Sequence, residues 1–394
     1  MSKKTVLLIG VFALVMTLFI VPVTAQDAPW DGADELDTNP LACEIGMDPL
    51  EGDMEVEAMM AEDEDMGEEM MDAPEYDGGA VVDAPDKMGE TIVLVDVPKL
   101  VGIGYFAATT AGQQIAAEEL GNVEVTTDAP TSANIDEQIT FIDNYITQGV
   151  DGVLFAANDP VAIAPVLRKA LEAGIHVVGY DANAEPDARE WFINQAEFNG
   201  IAKALMDSLA LEKGADAQFG IVTSTFTTPN QARWIAEMQA YTAKCYPDMV
   251  WLETVEAQED AVLSFNQANS LLNKYEGELD GLFGMTSVAT PASADAVTQA
   301  DLCGEVAVVG LATPNAMRPY VADGCVKRVI LWNPVDLGYA SVYVMRAVVD
   351  GTFQPGDTEV EAGKLGMLQV VNGSEVLLGP PFAFTILNVD EFDF

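Results

Sequence analysis

The stretch I-H-V-V-G-Y-D-A-N, residues 175–183, decides the fold of this chain of 394 residues. Residues 175–180 are mainly apolar and rich in β-branched side chains, which is typical of a strand buried in a parallel sheet. Asp181 follows directly, so its carboxylate lies at the carboxyl end of the predicted strand. Ligands of open α/β sheets bind at such ends. Asp181 is therefore a candidate ligand contact, and the alternative is that it only caps the next turn.

Strand and helix patterns alternate on both sides of this stretch. Strands are predicted over residues 91–97, 123–127, 153–156, 175–180, 219–223, 250–255, 281–285, 306–311 and 326–332. Helices are predicted over 108–120, 135–146, 161–173, 198–211, 231–243, 261–274 and 291–300, and directly after the strands 306–311 and 326–332. A hairpin is predicted over 368–378. The alternation predicts an α/β protein with two doubly wound, Rossmann-like lobes that line a cleft with strand carboxyl ends.

The amino-terminal residues have a different character. Residues 1–25 combine Lys3, Lys4, an apolar core and a Val-Thr-Ala end, which predicts a secretory signal peptide, with a retained membrane anchor as the alternative. We expect export to a periplasmic or extracellular location, without stable membrane insertion after cleavage. In residues 26–90, acidic residues dominate and Lys87 is the only Lys or Arg, which predicts a disordered spacer. Residues 91–394 then form the folded module.

The predicted module divides into two lobes. The first lobe covers about 91–195 plus part of 314–350, and the second covers about 196–313 plus part of the carboxyl-terminal region. Cys303 and Cys325 lie at the amino ends of predicted neighbouring strands, so a 303–325 disulfide is compatible with the pattern. The cysteine spacing does not indicate a metal site, and no cofactor is expected.

Charge and motifs limit the function. The chain has 64 Asp and Glu against 17 Lys and Arg, a formal net charge of -47, which argues against nucleic-acid binding. His176 is the only histidine and lies inside the predicted strand, so a His-dependent catalytic site is not indicated. There is no P-loop, and Gly102 with Gly104 does not complete a dinucleotide fingerprint. Residue counting leaves a glycosidase carboxylate pair open, but a binding protein is favoured over an enzyme.

Polar and aromatic residues gather at or just beyond the predicted strand ends. Carboxylates and amides pair with hydroxyl groups, and aromatic rings stack on the apolar faces of sugars, so this mixture favours a polyhydroxylated small ligand. The residues are Lys99, Tyr105, Phe106, Asn158, Asp159, Asp181, Asn183, Gln231, Thr286, Ser287, Trp332 and Asn333.

Several longer motifs carry a family resemblance. They are P-K-L-V-G-I-G-Y-F at 98–106, G-Y-D at 179–181, F-I-N-Q at 192–195, V-G-L-A-T-P-N-A-M-R-P-Y at 309–320 and W-N-P-V-D-L-G at 332–338. Over residues 91–394 the chain resembles substrate-binding proteins of ABC transporters, in the rhamnose-binding and autoinducer-2-binding branch of the ribose-binding-like, type I periplasmic binding proteins. The resemblance implies two hinged lobes that close on one small sugar, and a membrane permease that receives it. A monomer is expected.

The resemblance also assigns residues to the ligand site. Of the autoinducer-2 signature the chain keeps Lys99, Asp181 and Gln231, but Asn230 replaces an Asp, and Met285 and Ser287 replace a Pro and an Ala. These changes favour a simple sugar, with autoinducer-2 uptake or chemoreceptor-coupled sugar sensing as alternatives.

Trp332 matches a ligand-facing position of the ribose-binding class, with a core Trp as its alternative. A surface-layer structural protein is a competing class that would show no stabilisation by a ligand.

Overall fold

The computed structural model describes residues 75–82, 84 and 87–394. The predicted signal peptide and most of the predicted spacer lie outside these residues. Within the described ranges, no helix has both the length and the apolar character needed to cross a membrane.

Strands and helices alternate through most of the described chain. The strands are β1 (Ile92–Val97), β2 (Val123–Thr127), β3 (Gly152–Phe155), β4 (His176–Tyr180), β5 (Trp191–Asn194), β6 (Gln218–Thr223), β7 (Val250–Glu256), β8 (Gly281–Gly284), β9 (Ala307–Gly310), β10 (Val329–Leu331), β11 (Glu359–Glu361), β12 (Met367–Val371), β13 (Glu375–Leu377) and β14 (Phe382–Phe384). The helices are α1 (Gly104–Leu120), α2 (Ile135–Gln148), α3 (Pro160–Glu172), α4 (Phe198–Lys213), α5 (Pro229–Cys245), α6 (Ala261–Lys274), α7 (Ala289–Gln299), α8 (Pro314–Ala322) and α9 (Pro334–Val349).

Twelve of the described strands form two sheets. The first sheet has the order β11-β12-β13-β5-β4-β3-β1-β2, and the second has the order β7-β6-β8-β9. All neighbours are parallel except β11 with β12 and β12 with β13. β10 pairs antiparallel with β14 and meets the second sheet through a bridge between Leu311 and Ile330. We call each sheet with its packed helices a lobe, the first and the second.

The predicted α/β alternation is confirmed. β4 shows why the sequence pattern predicted a buried strand. Every residue of β4 is buried, as expected for a central strand covered on both faces. β5, β11 and β14 were not predicted. They are three or four residues long, too short to show a period, and depend on partners distant in the chain.

Close contact between α1 and α9 sets the position of the aromatic residues. A Cβ added to Gly112 would lie 1.8 Å from the carbonyl oxygen of Val335, and one added to Gly338 would lie 1.9 Å from that of Thr109. Only glycine permits this approach. The crossing brings the first turn of α1, with Tyr105, close to Trp332, which precedes α9.

The end of the predicted spacer differs from the expectation. Residues 75–82 lie against the first lobe: the Tyr76 ring packs edge-on against Trp191 at 5.3 Å, and Tyr76 Oη donates to the carbonyl oxygen of Glu190 at 2.9 Å. The backbone N–H of Val82 donates to Glu190 Oε1 at 3.2 Å. The prediction of disorder used the average charge of the segment, which does not reflect the contacts of a few residues such as Tyr76 and Val82. Disorder stays a prediction only for residues outside the described ranges.

The proposed disulfide is present. Cys303 and Cys325 are joined by a bond of 2.04 Å with their Cα atoms 4.8 Å apart. The bridge lies between the end of α7 and the turn that leads to β10, so it closes a loop in the second lobe.

Candidate functional site

A cavity lies where the carboxyl ends of strands from both lobes converge. It encloses about 340 Å³ of space outside the atoms, including its open mouth. Its lining is Lys99, Ile103, Tyr105, Phe106, Asp181, Asn230, Gln231, Trp234, Glu259, Met285, Thr286, Ser287, Leu311, Leu331 and Trp332.

Most of the residues that the sequence pointed to are brought together in this cavity. They are Lys99, Tyr105, Phe106, Asp181, Asn230, Gln231, Met285, Thr286, Ser287 and Trp332. The sequence analysis missed Ile103, Trp234, Glu259, Leu311 and Leu331. Trp234 could have been found, since it lies one helical turn beyond Asn230 and Gln231 on the same face of α5.

Four predicted residues have structural roles instead. Asn158 Nδ2 donates to the carbonyl oxygen of Lys99 at 2.8 Å, so it supports the loop that carries Lys99. Asp159 accepts from the backbone of Val161 and Ala162 at the start of α3, and Asn333 accepts from Val335 and Asp336 at the start of α9. Asn183 Oδ1 accepts from Arg189 Nε at 3.0 Å. Helix capping and loop support use the same polar residue types as ligand binding.

The wall formed by the first lobe is a connected polar network around Asp181. Lys99 Nζ lies 3.1 Å from Asp181 Oδ2, and Tyr105 Oη donates to Asp181 Oδ1 at 2.9 Å. Trp332 Nε1 in turn donates to Tyr105 Oη at 2.9 Å. Lys99, Tyr105, Asp181 and Trp332 are all at most 5% exposed. The network therefore holds these side chains in place through contacts within the protein.

The capping alternative for Asp181 does not fit its contacts. Among the described residues its side chain bonds Tyr105 and Asn230, and it pairs with Lys99, with no bond to the backbone of the turn that follows. Asp181 also has φ 60°, in the left-handed region that is sparsely populated by residues other than glycine. Strained residues of this kind concentrate at functional sites.

Burial and the neighbouring carboxylate change the titration of Tyr105. Burial raises the pKa of the Tyr105 hydroxyl well above its ordinary value, and the charge of Asp181 raises it further. Tyr105 therefore stays protonated and acts as a hydrogen-bond donor to Asp181 throughout the physiological pH range.

The wall formed by the second lobe begins at the first turn of α5. Pro229 is the first residue of α5, a position that suits proline because its missing N–H would have no partner there. The turn presents Asn230 and Gln231, and Asn230 Nδ2 reaches across to Asp181 Oδ1 at 3.4 Å. Within the described part of the chain, Gln231 Oε1 and Trp234 Nε1 have no hydrogen-bond partner although both residues are buried.

A threonine shapes the remainder of this wall. Thr290 Oγ1 lies 2.8 Å from the carbonyl oxygen of Gly284 and 2.9 Å from that of Leu311, so it ties the ends of β8 and β9 together. Met285 and Thr286 follow β8 directly and are buried at the cavity. The Thr290 hydroxyl therefore fixes the two strand ends that form this part of the wall.

The arrangement is suited to binding rather than to bond cleavage. Paired acceptors and donors face an aromatic and aliphatic surface, which matches alternating hydroxyl and C–H groups on a ring. The comparison with known proteins is consistent with this chemistry. A family described as periplasmic binding protein domain matches residues 95–352, more than half of the chain.

The chain belongs to the periplasmic binding protein family.

Its relatives in this family are sugar-binding transport proteins. A D-ribose/D-allose-binding protein of Pseudomonas aeruginosa is 29% identical over 196 residues, which cover 48% of this chain and 59% of that protein. The chain thus spans about three fifths of the length of this curated relative. Its fold is the predicted type I periplasmic binding protein fold, and the predicted membership of this class is confirmed.

Solved structures show the same architecture. The structure of a sugar ABC transporter from Actinomyces odontolyticus is 31% identical with a TM-score of 0.64, covering 78% of this chain and 100% of that one. A solute-binding protein from Clostridium phytofermentas with bound L-rhamnose is 28% identical with a TM-score of 0.71, covering 76% and 98%. LsrB from Clostridium saccharobutylicum with autoinducer-2 is 23% identical with a TM-score of 0.73, covering 77% and 100%, and shows the shared fold.

Proposed function

We propose that this periplasmic binding protein binds one small, neutral sugar in the cavity and delivers it to the permease of an ABC importer. The Lys99–Asp181–Tyr105 network carries the proposal, because a buried, prearranged carboxylate with adjacent rings is the surface that a polyhydroxylated ring requires. The L-rhamnose and ribose or allose ligands named for relatives support this ligand class. In this proposal the protein is exported by residues 1–25 and acts as a monomer at the cell envelope.

Rhamnose-like sugars fit the cavity through its mixed lining. Ile103, Leu311 and Leu331 add an aliphatic surface to the aromatic rings. A 6-deoxy sugar such as rhamnose has a methyl group in place of the hydroxymethyl group, and an aliphatic surface accommodates a methyl group well. L-rhamnose is therefore the first ligand to test within the broader class of simple sugars.

Autoinducer-2 is the second candidate. The three residues kept from its signature, Lys99, Asp181 and Gln231, all line the cavity. The replacements Asn230, Met285 and Ser287 line it too, so they alter the surface that this signal molecule would meet. The simple sugar is favoured for that reason.

A ligand screen tests the proposal. Thermal melts of the full mature chain would be recorded with L-rhamnose, D-ribose, D-allose, D-arabinose, D-fucose, D-galactose and autoinducer-2, followed by calorimetry on each compound that raises the Tm. A ligand present at 100 times its Kd should stabilise the fold by about 2.7 kcal/mol. A flat melting temperature across the panel would contradict the proposal, and stabilisation by autoinducer-2 alone would favour the second candidate.

A further inference from the structure

A second carboxylate lies in the cavity at a position that the sequence analysis did not single out. Glu259 comes from the loop between β7 and α6 and lines the cavity together with Lys99 and Asp181. The residue keeps some exposed surface, but its carboxyl group interacts with Thr286 and Gln231 inside the cavity. Glu259 therefore faces Asp181 from the opposite wall.

The backbone that carries Glu259 is held in an unfavourable conformation. Gln258 has φ 52° and Glu259 has φ 56°, so two consecutive residues other than glycine adopt the left-handed region. Backbone bonds fix the loop on both sides: Gln258 N donates to Ser224 O at 2.9 Å, and Asp260 N donates to Ala257 O at 2.8 Å. Conformations of this kind are strained and persist where the surrounding structure enforces them.

The charges in the cavity do not balance around Glu259. Lys99 is the cation that faces both carboxylates, and it already pairs with Asp181 at 3.1 Å. Among the described residues Glu259 has no ion pair of its own, and the neighbouring Gln231 Oε1 and Trp234 Nε1 lack hydrogen-bond partners. A carboxylate, an amide oxygen and an indole N–H side by side can accept from and donate to neighbouring hydroxyl groups of one ligand.

We propose that Glu259 is a ligand-binding residue that supplies the carboxylate of the second lobe and accepts hydrogen bonds from sugar hydroxyls opposite Asp181. The inference rests on the proposed sugar-binding function. In the second wall, Asn230 replaces the Asp of the autoinducer-2 signature. Glu259 would supply a carboxylate to this same wall. It also narrows the ligand class to neutral sugars, because two carboxylates against one Lys repel an acidic sugar.

The titration of the cavity gives this role a specific signature. Burial raises the pKa of the Glu259 carboxyl and Asp181 raises it further, while Lys99 and the hydrogen bonds from Thr286 and Gln231 lower it. A carboxylate that accepts from the ligand must be ionised. Affinity should therefore be full above the raised pKa of Glu259 and should fall as the pH decreases through it.

Two variants and a matched control test the inference by calorimetry with L-rhamnose and D-ribose between pH 5 and pH 8. Glu259→Gln should weaken binding at pH 8 at least tenfold and remove the part of the pH dependence that Glu259 causes. Glu259→Gly should lose affinity equally but keep or raise the Tm, because glycine adopts the left-handed region without strain. Glu256→Gln is the control, since Glu256 contacts the backbone of Phe226 outside the cavity lining, and it should bind like the wild type.

The outcomes separate the inference from the proposed function. One outcome is that the wild type binds the sugar while Glu259→Gln has a Kd within threefold of the wild-type value and the same pH profile. That result would overturn the role of Glu259 and leave the proposed sugar-binding function standing. A lowered Tm in Glu259→Gly with unaltered affinity would also overturn it, because the side chain would then be structural. No binding of either sugar, or of any other sugar of the panel, by the wild type would overturn the proposed function and the inference together.

Discussion

The two walls of the cavity differ in how far contacts within the protein satisfy their polar side-chain atoms. On the first wall Asp181 forms an ion pair with Lys99 and accepts a hydrogen bond from Tyr105, and Trp332 donates to Tyr105. On the second wall Gln231 and Trp234 present buried polar atoms that have no partner among the described residues. A buried polar group without a partner is unfavourable, so a ligand that supplies the partner stabilises the contact between the lobes. Contacts within the protein thus satisfy most of the first wall, and under the proposed function the sugar would supply the partners that the second wall lacks.

The largest expected effect is on the first wall. Asp181→Ala should weaken sugar binding at least a hundredfold, because it removes charge-assisted hydrogen bonds that contribute roughly 1.5–3 kcal/mol each. It should also lower the Tm, because Lys99 would remain buried without its partner, which costs about 3–5 kcal/mol. Calorimetry and thermal melts of this variant and of Asp181→Asn, which keeps the side-chain shape, measure both effects. A reduced Tm with unaltered affinity in both variants would assign Asp181 a structural role.

A smaller effect is expected on the second wall. Gln231→Ala should weaken binding about tenfold, because a typical hydrogen bond contributes roughly 0.5–1.5 kcal/mol. The Tm without ligand should fall less than in Asp181→Ala, since the removed oxygen has no partner among the described residues and only the contact of the Gln231 amide with Glu259 is lost.

Gln267→Ala provides the control for Gln231→Ala. Gln267 lies on α6 in the same lobe and donates to the carbonyl oxygen of Glu256 rather than lining the cavity. Its affinity should match that of the wild type. A large Tm loss in Gln231→Ala would show that both walls are equally prearranged and would break the comparison.

A buried carboxylate behind the first wall should respond to pH. Asp96 is fully buried and accepts from Tyr180 Oη at 2.9 Å and from Thr127 Oγ1 at 3.1 Å. Burial raises the pKa of Asp96 to about 6. Because the unfolded chain releases this proton near pH 4, the contribution of Asp96 to stability is full below about pH 4 and is lost as the pH rises through about 6.

Asp96→Asn tests this contribution. The variant should flatten the dependence of the Tm on pH between 4 and 7. At pH 8 it should have a higher Tm than the wild type, and its free energy of unfolding should be higher by at most about 3 kcal/mol. Parallel wild-type and variant curves would contradict the assignment.

The smallest effect on binding is expected from the amino-terminal segment, which contributes to neither wall. Removing residues 26–74 should leave both Kd and Tm unchanged. Removing residues 26–90 should leave Kd within twofold but lower the Tm, because Tyr76 packs on Trp191 and Val82 bonds Glu190. An affinity loss above tenfold in either truncation would mean that the segment supports one of the walls.

Local signals in the sequence predicted much of the fold and of the first wall. The apolar run before Asp181 marks a buried strand and its carboxyl end. The Tyr-Phe pair that opens α1 follows shortly after another predicted strand. Cys303 and Cys325 were placed correctly because both flank recognisable strands. The acidic average of residues 26–90 was misleading near its end, since Tyr76 and Val82 need contacts on β5 that no local pattern contains.

The sequence by itself determined the α/β class, the alternation of elements and the strand end that carries Asp181, because burial on both faces requires a continuous apolar run. Only the tertiary structure decided which polar strand-end residues meet in the cavity. The Asn158 side chain bonds Gln138 and the Lys99 carbonyl oxygen and does not line the cavity. Glu259 lines the cavity because a left-handed backbone, bonded to Ser224 through Gln258, directs it there. Side-chain direction at a strand end depends on partners far away in the chain, and polar residue types alone do not carry that information.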